Sequence, residues 1–202
     1  MRALGILLVA VTLVVSACGS DEDVGLAGQI RTPAPNVSDV SLPEVTGGDI
    51  RDFALTARED SLLLLYFGYT GCPDICPTTL ADLRSAVRTL DGEQADRVDV
   101  AFATIDPNRD TNEVATAYIH AFFPEKGIAI RTDDPDELQT AADALGVIYS
   151  VEEQEDGTIF VEHSAWVYVI DDTGTLLVSW PFGIEPDAIA SDIRLLLKET
   201  PA

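Results

Sequence analysis

Residues 61–80 read Ser-Leu-Leu-Leu-Leu-Tyr-Phe-Gly-Tyr-Thr-Gly-Cys-Pro-Asp-Ile-Cys-Pro-Thr-Thr-Leu. From Ser61 to Phe67 the chain is a continuous apolar run closed by Gly68, the pattern of a central strand buried on both faces. From Pro77 to Leu90 the pattern changes. Leu80, Leu83, Val87 and Leu90 fall on one helical stripe, with Pro77 early in the helix, where its missing N–H is tolerated. A buried strand feeding an amphipathic helix is the opening of an α/β unit. Cys72 and Cys76 lie at the junction. If that junction is helical, positions i and i+4 share a face with Cβ atoms about 5–6 Å apart. The free N–H groups and partial positive charge of a helix N-terminus favour the thiolate, the reactive and metal-binding form.

The same alternation continues outward. Val98–Ile105 reads as a second central strand, Thr111–Phe122 as a helix with Val114, Ala117/Tyr118 and Ala121/Phe122 inward, and Gly127–Arg131 as a short strand. Asp136–Leu145 is a helix ended by Gly146, and Val147–Val151 a short strand. Glu162–Ile170 and Thr175–Trp180 flank Asp-Asp-Thr-Gly and form a hairpin, and Pro186–Leu197 is a closing helix. Upstream, Val40–Leu55 suggests a hairpin around Gly47-Gly48. The expected fold is α/β: a central mixed β-sheet flanked by helices, with an N-terminal β-hairpin. A thioredoxin-like fold has this order of elements, as do other small mixed α/β folds.

The chain has 202 residues, of which 35 are acidic and 12 basic, a formal charge of −23. Its 47% hydrophobic content supports a folded core rather than an acidic disordered chain. The charge argues against nucleic-acid binding, which needs a Lys/Arg surface, and against a basic patch for anionic lipid. Three cysteines are too few for a disulfide framework. One lies in the leader: Met1-Arg2, an apolar run from Ala3 to Val15, then Val15-Ser16-Ala17-Cys18. This resembles a bacterial lipobox, which implies cleavage before Cys18 and lipid attachment there. The organisation expected is a signal peptide over 1–17, a lipidated Cys18 with a flexible acidic tether over 18–39, and one domain over 40–202. That places the domain outside the cytoplasm, anchored to the cell membrane, where disulfides can form.

Cys72 and Cys76 alone leave three readings open: a metal site, a redox pair, or a structural disulfide. Three intervening residues, where redox motifs usually have two, favour metal mildly. A metal site needs a further ligand, and the chain has two histidines. His120 sits on the Thr111–Phe122 helix and reads as a packing or surface residue. His163 opens the strand that runs to Ile170.

Tyr66–Leu80 closely resembles the signature of the Sco/SenC family. Ile105-Asp106-Pro107-Asn108-Arg109-Asp110-Thr111 is similar to that family's Asp-Pro-x-Arg-Asp-Thr segment, and His163-Ser164 ahead of Trp166–Asp171 to its His-bearing strand. The resemblance covers about Val40 to Leu197; it departs at Gly71, often His or another polar residue in the family. It implies a thioredoxin-like copper protein that helps mature the binuclear copper A site of cytochrome c oxidase. The implied copper ligands are Cys72, Cys76 and His163. Asp106 and Asp110 are not expected ligands; Asp106 is expected to support the site or a partner surface, and Arg109 to tie its loop down by an ion pair. Implied partners are the copper A subunit of the oxidase, an extracytoplasmic thiol reductase, another copper chaperone, and the membrane through a lipid anchor.

The physical reading agrees. Soft thiolates suit Cu(I) and imidazole suits either copper state, though zinc accepts the same ligands. The main rival is a thiol-disulfide reductase in which Cys72 attacks and Cys76 resolves. A peroxidase of the peroxiredoxin type is disfavoured by Tyr69, where that pattern has Thr.

Overall fold

The computed structural model describes residues 25–199. The expected signal segment, Cys18 and the start of the tether lie outside the described residues. The elements run β1 (Ser41–Glu44), β2 (Arg51–Ala54), β3 (Leu62–Gly68), α1 (Ile75–Arg88), α2 (Gly92–Asp96), β4 (Val98–Thr104), α3 (Asn112–Phe122), β5 (Gly127–Ile130), α4 (Pro135–Leu145), β6 (Tyr149–Glu153), β7 (Ile159–His163), β8 (Trp166–Ile170), β9 (Leu176–Pro181) and α5 (Pro186–Glu199). Seven strands form a mixed sheet in the order β2-β1-β5-β4-β3-β8-β9, and β6 and β7 form a separate two-stranded sheet. β3, β4 and β5 are parallel; β1, β2, β8 and β9 add antiparallel edges.

The apolar run at 62–67 lies at the middle of this architecture. Leu62, Leu64 and Tyr66 enter one core with Leu80 and Leu83 of α1, Ile119 of α3 and Ile189 and Ile193 of α5. Leu63, Leu65 and Phe67 enter the other, with Leu138, Ala141, Ala142 and Leu145 of α4. A strand needs side chains of both parities buried only when both sheet faces are covered, which is why alternation is absent here. α4 begins with Asp134 accepting from Asp136 N at 2.9 Å and Glu137 N at 3.4 Å, and ends at Gly146 in the left-handed conformation, φ 70°.

Four expectations are corrected. The buried stripe of α3 is Ala115 and Ile119, with Tyr118 and Phe122 half-buried; Val114, Ala117 and Ala121 are exposed. The helix is rotated by about one residue because Tyr118 and Phe122 flank the seam beside Phe102 rather than fill it. The segment 162–170 is two strands, because the chain changes partners at Ser164-Ala165. His163 pairs with Tyr149 of β6, while Trp166 pairs with Pro181 of β9. His163 therefore ends β7 rather than opening β8.

The described part of the expected tether is docked. Gln29 bridges Ser179, Asn36 bridges Thr175, and Val37 is buried. The buried Asp192 of α5 accepts from Ala27 N at 2.8 Å, Gly28 N at 3.0 Å and Trp180 Nε1 at 2.8 Å. Composition reads this segment as a linker; its backbone hydrogen bonds are invisible to composition. Finally, α1 starts at Ile75, so Cys76 is in its first turn and Cys72 precedes it.

Candidate metal centre

The centre lies past the C-terminal ends of β3 and β4, where the loops 69–74 and 105–111 leave the sheet side by side. At α1, the N-cap residue Asp74 makes no side-chain cap hydrogen bond. One of the orphan N–H groups is met by sulfur instead: Cys76 N donates to Cys72 Sγ at 3.3 Å. This contact places the first thiol against the helix terminus and both cysteines at one point.

His163 reaches the same point from the β6–β7 hairpin. Its Nδ1 lies 3.2 Å from the Ser164 carbonyl and its Nε2 lies 3.5 Å from Cys76 Sγ. With Nδ1–H donating to the carbonyl, Nε2 carries the lone pair that faces the sulfur. The ligand atoms of Cys72, Cys76 and His163 all lie within 4.8 Å of one another. Two sulfurs bound at about 2.3 Å to one ion can be no more than about 4.6 Å apart, so the three donors fit a common ion with an adjustment of tenths of an ångström. Both cysteines are free thiols, Cys76 buried and Cys72 half-buried.

The three donors differ electrostatically. Burial pushes the Cys72 thiol up, but hydrogen bonds from the Cys76 backbone, the Cys76 side chain, the Asp74 backbone and the Tyr69 side chain outweigh it, leaving the group below its ordinary value. Burial dominates at Cys76, which is pushed up to about 12. Burial lowers His163 below its ordinary value, keeping the imidazole neutral as a ligand must be.

The loops around the donors are tied to each other. Asp110, 1% exposed, accepts from Thr70 N at 3.0 Å, Thr70 Oγ1 at 2.5 Å and Thr104 Oγ1 at 2.5 Å. Arg109 pairs with the buried Asp106 and stands over the Tyr69 ring, 5.8 Å from its centroid. Tyr69 meets the His163 ring edge-on at 6.0 Å, and Tyr66 does so at 6.1 Å. Gly68 makes room for this: a Cβ there would lie 2.9 Å from Tyr66 Cε1 and 3.0 Å from Cys76 Sγ. Gly71 is exposed and a Cβ would meet nothing closer than Tyr69 Cδ2 at 3.7 Å, so the position has space for a side chain but supplies none.

The structure thus brings Cys72, Cys76 and His163 together and places Asp106 and Arg109 beside them, outside the donor set. His120 is elsewhere, its Nε2 3.2 Å from the Gly127 carbonyl. Three neighbours escaped the sequence reading in their present roles. The sequence names Asp110 only as a non-ligand and places Tyr66 in the buried run of β3, and nothing local marks Tyr69 as a neighbour of the histidine. The adjacency of two parallel strand ends, each followed by a polar residue such as Thr70 or Asp110, is the signal that marks such a clasp.

Fold and site together define a thioredoxin-like domain carrying a soft three-donor centre. The SCO1/SenC family model matches residues 44–198. An SCO2-like protein of Rickettsia typhi is 31% identical over 191 residues, 94% of this chain and 93% of that protein. The solution structure of apo Sco1 from Thermus thermophilus superposes with TM-score 0.71 at 29% identity, over 84% of this chain and 95% of that one. The crystal structure of Arabidopsis thaliana ScoI with copper bound superposes with TM-score 0.67 at 28% identity, over 79% and 94%. The chain belongs to the SCO1/SenC family.

Proposed function

We propose that this protein is an extracytoplasmic copper metallochaperone that holds copper through Cys72, Cys76 and His163 and delivers it to the binuclear copper A site of cytochrome c oxidase. The observation that carries the reading is the convergence of two sulfurs and one imidazole nitrogen within 4.8 Å. The copper-bound Arabidopsis relative supports the choice of metal, as does the preference of thiolates for Cu(I). Asp106 and Arg109 support the site by fixing the loop beside Tyr69.

The donors are graded for transfer. Cys76 is buried on a helix and His163 is oriented by its Nδ1 contact, so these two retain the ion. Cys72 is half-exposed and outside the helix, so its sulfur is the one an incoming ligand replaces first. The cargo then passes by ligand exchange without being released to water. Both thiols must be reduced beforehand, which calls for an extracytoplasmic thiol reductase; another copper chaperone is a source of the metal. The leader through Ala17 directs export and a lipid on Cys18 anchors the protein to the membrane. No helix among the described residues is long and apolar enough to cross one.

Anaerobic titration of Cu(I) into the reduced protein and its H163A variant, with a competing chelator, tests the reading. One tight copper per chain, greatly weakened without His163, is the expected result. Weak binding that ignores His163 overturns it. A second reading has its own observation: an accessible Cys72 of lowered pKa beside a buried Cys76 is the arrangement of an attacking and a resolving thiol. In that reading the protein reduces the cysteines of the oxidase copper site or another extracytoplasmic target, and H163A retains reductase activity.

A further inference from the structure

Tyr66 stands out among the residues around the donors. It is 0% exposed, on the central strand β3, yet its hydroxyl makes no hydrogen bond of ordinary geometry. The side chains within reach of it, and that interact with it, are those of Cys76 and Thr79. Thr79 Oγ1 already donates to the Ile75 carbonyl at 2.9 Å. Gly68 lets the Tyr66 ring and Cys76 Sγ border one space, since a Cβ there would lie 2.9 Å from Tyr66 Cε1 and 3.0 Å from Cys76 Sγ. The other edge of the same ring region faces His163. A tyrosine thus lies against two of the three donors with a buried hydroxyl that is close to the Cys76 sulfur but makes no hydrogen bond of ordinary geometry. Buried polar groups are nearly always paired, and one that is not calls for an explanation.

A thiol sulfur is a weak acceptor, so in the metal-free protein a hydroxyl beside Cys76 has little to bond to. A metal-bound thiolate sulfur is anionic and a far better acceptor, and hydrogen bonds to charged groups are about twice as strong as neutral ones. We infer that Tyr66 is a positioning residue whose hydroxyl donates to the Cys76 sulfur in the loaded protein only, so that it raises metal affinity and limits electron donation from that sulfur to the metal. The inference rests on the copper-site reading above. It adds a residue whose hydroxyl is close to the sulfur but not fully bonded in the metal-free protein, and fully bonded in the loaded one.

The two states respond to Tyr66→Phe with opposite signs. In the reduced, metal-free full-length protein the substitution removes an unpaired hydroxyl and nothing else, so the thermal midpoint holds or rises. In Cu(I) competition titrations the affinity of Y66F falls about tenfold or more, the equivalent of one hydrogen bond to a charged group. With Cu(II) the thiolate-to-copper charge-transfer band of Y66F shifts to lower energy, because the sulfur loses a hydrogen bond. A fall in the metal-free midpoint would show that the hydroxyl is already bonded without metal and overturns the inference. So does wild-type affinity with an unshifted band. Failure of the wild-type protein to bind copper overturns the function reading instead, and the metal-free measurement stands apart from that outcome.

Discussion

The Asp110 clasp makes a quantitative prediction. Its carboxylate accepts from one backbone N–H and two hydroxyls, at 3.0, 2.5 and 2.5 Å, and is buried. Asp110→Ala strands the Thr70 N–H and both hydroxyls in a space that the side chain filled. Hydrogen bonds to a charged group contribute about 1.5–3 kcal/mol each, and a buried unpaired donor costs about 1–3 kcal/mol. Removing the carboxylate also relieves its own desolvation, and the two threonine hydroxyls can turn toward other acceptors. The net loss is about 3–4 kcal/mol. In a domain of this size each kcal/mol moves the midpoint by about 2–4 °C, so the metal-free, reduced variant melts roughly 6–16 °C lower. Asp110→Asn keeps the shape and one accepting oxygen and loses about half as much. Thermal unfolding followed by circular dichroism reads the midpoint, and amide hydrogen exchange at Thr70 reads the clasp itself. Protection of the Thr70 amide should fall in both variants. A midpoint for Asp110→Ala within about 2 °C of wild type, with Thr70 still protected, would refute the reasoning.

Four further outcomes are expected. In the metal-free reduced protein, iodoacetamide should modify Cys72 well before Cys76, with the Cys72 rate levelling off below the ordinary thiol range; mass mapping across pH reads this, and equal rates at both cysteines contradict the asymmetry. The same shifts set the stability profile: the lowered Cys72 group stabilises the fold above its unfolded value and loses that contribution as pH falls through its folded value, whereas Cys76, raised from 9.0 to about 12, withdraws stability as pH climbs through that interval, a loss that Cys76→Ser should remove from the alkaline limb of a denaturation series. Asp192→Ala leaves the Ala27 and Gly28 amides and the Trp180 indole unpaired, so limited proteolysis should begin near residues 25–31, and an unchanged cleavage pattern would show that the N-terminal strap is held by other contacts. Gly68→Ala drives a methyl into Tyr66 and Cys76 Sγ, costing about 1–3 kcal/mol and weakening metal binding with it; retained affinity in a chelator competition would mean the sulfur has room to move.

The central strand was legible because its neighbours leave it no polar side: seven consecutive buried residues cannot alternate. The two helices after β3 and β4 and the Gly146 terminator were legible for equally local reasons, periodicity and a left-handed cap. The misreadings share a different origin. Whether Val114 or Ala115 faces inward depends on how Phe102 and Tyr118 divide the seam. Whether 25–39 is a tether depends on a carboxylate 164 or 165 positions away. The break between β7 and β8 depends on which strand offers His163 a partner. Each is decided by a contact distant in sequence. The expected donor set rests on a family pattern, since His163 has no local feature to separate it from His120. Geometry separates them: one imidazole meets sulfur and the other the carbonyl of Gly127 at the start of β5.

That geometry also explains why three donors from distant segments can act as one centre. Cys76 is fixed in the first turn of α1, and its own N–H in that turn donates to Cys72 Sγ. The loop carrying Cys72 is fixed from the opposite side by Asp110 through Thr70, and Tyr69 is gripped between Arg109 and His163. His163 arrives on a hairpin outside the main sheet, joined at its base by the Ser164 N–H bond of 2.8 Å to the Ile148 carbonyl. Two of the supports, Asp110 and Arg109, are adjacent in sequence on the loop after β4, so that loop sets the position of both the Cys72 segment and the aromatic wall beside the histidine. The centre is therefore held rigidly below, by the helix and the two strand ends. Above, it is bounded only by a half-exposed sulfur and a hairpin base. If the proposed transfer holds, Cys76, fixed by the helix, is the donor that keeps the ion longest, and the half-exposed Cys72 sulfur is the one that exchanges first.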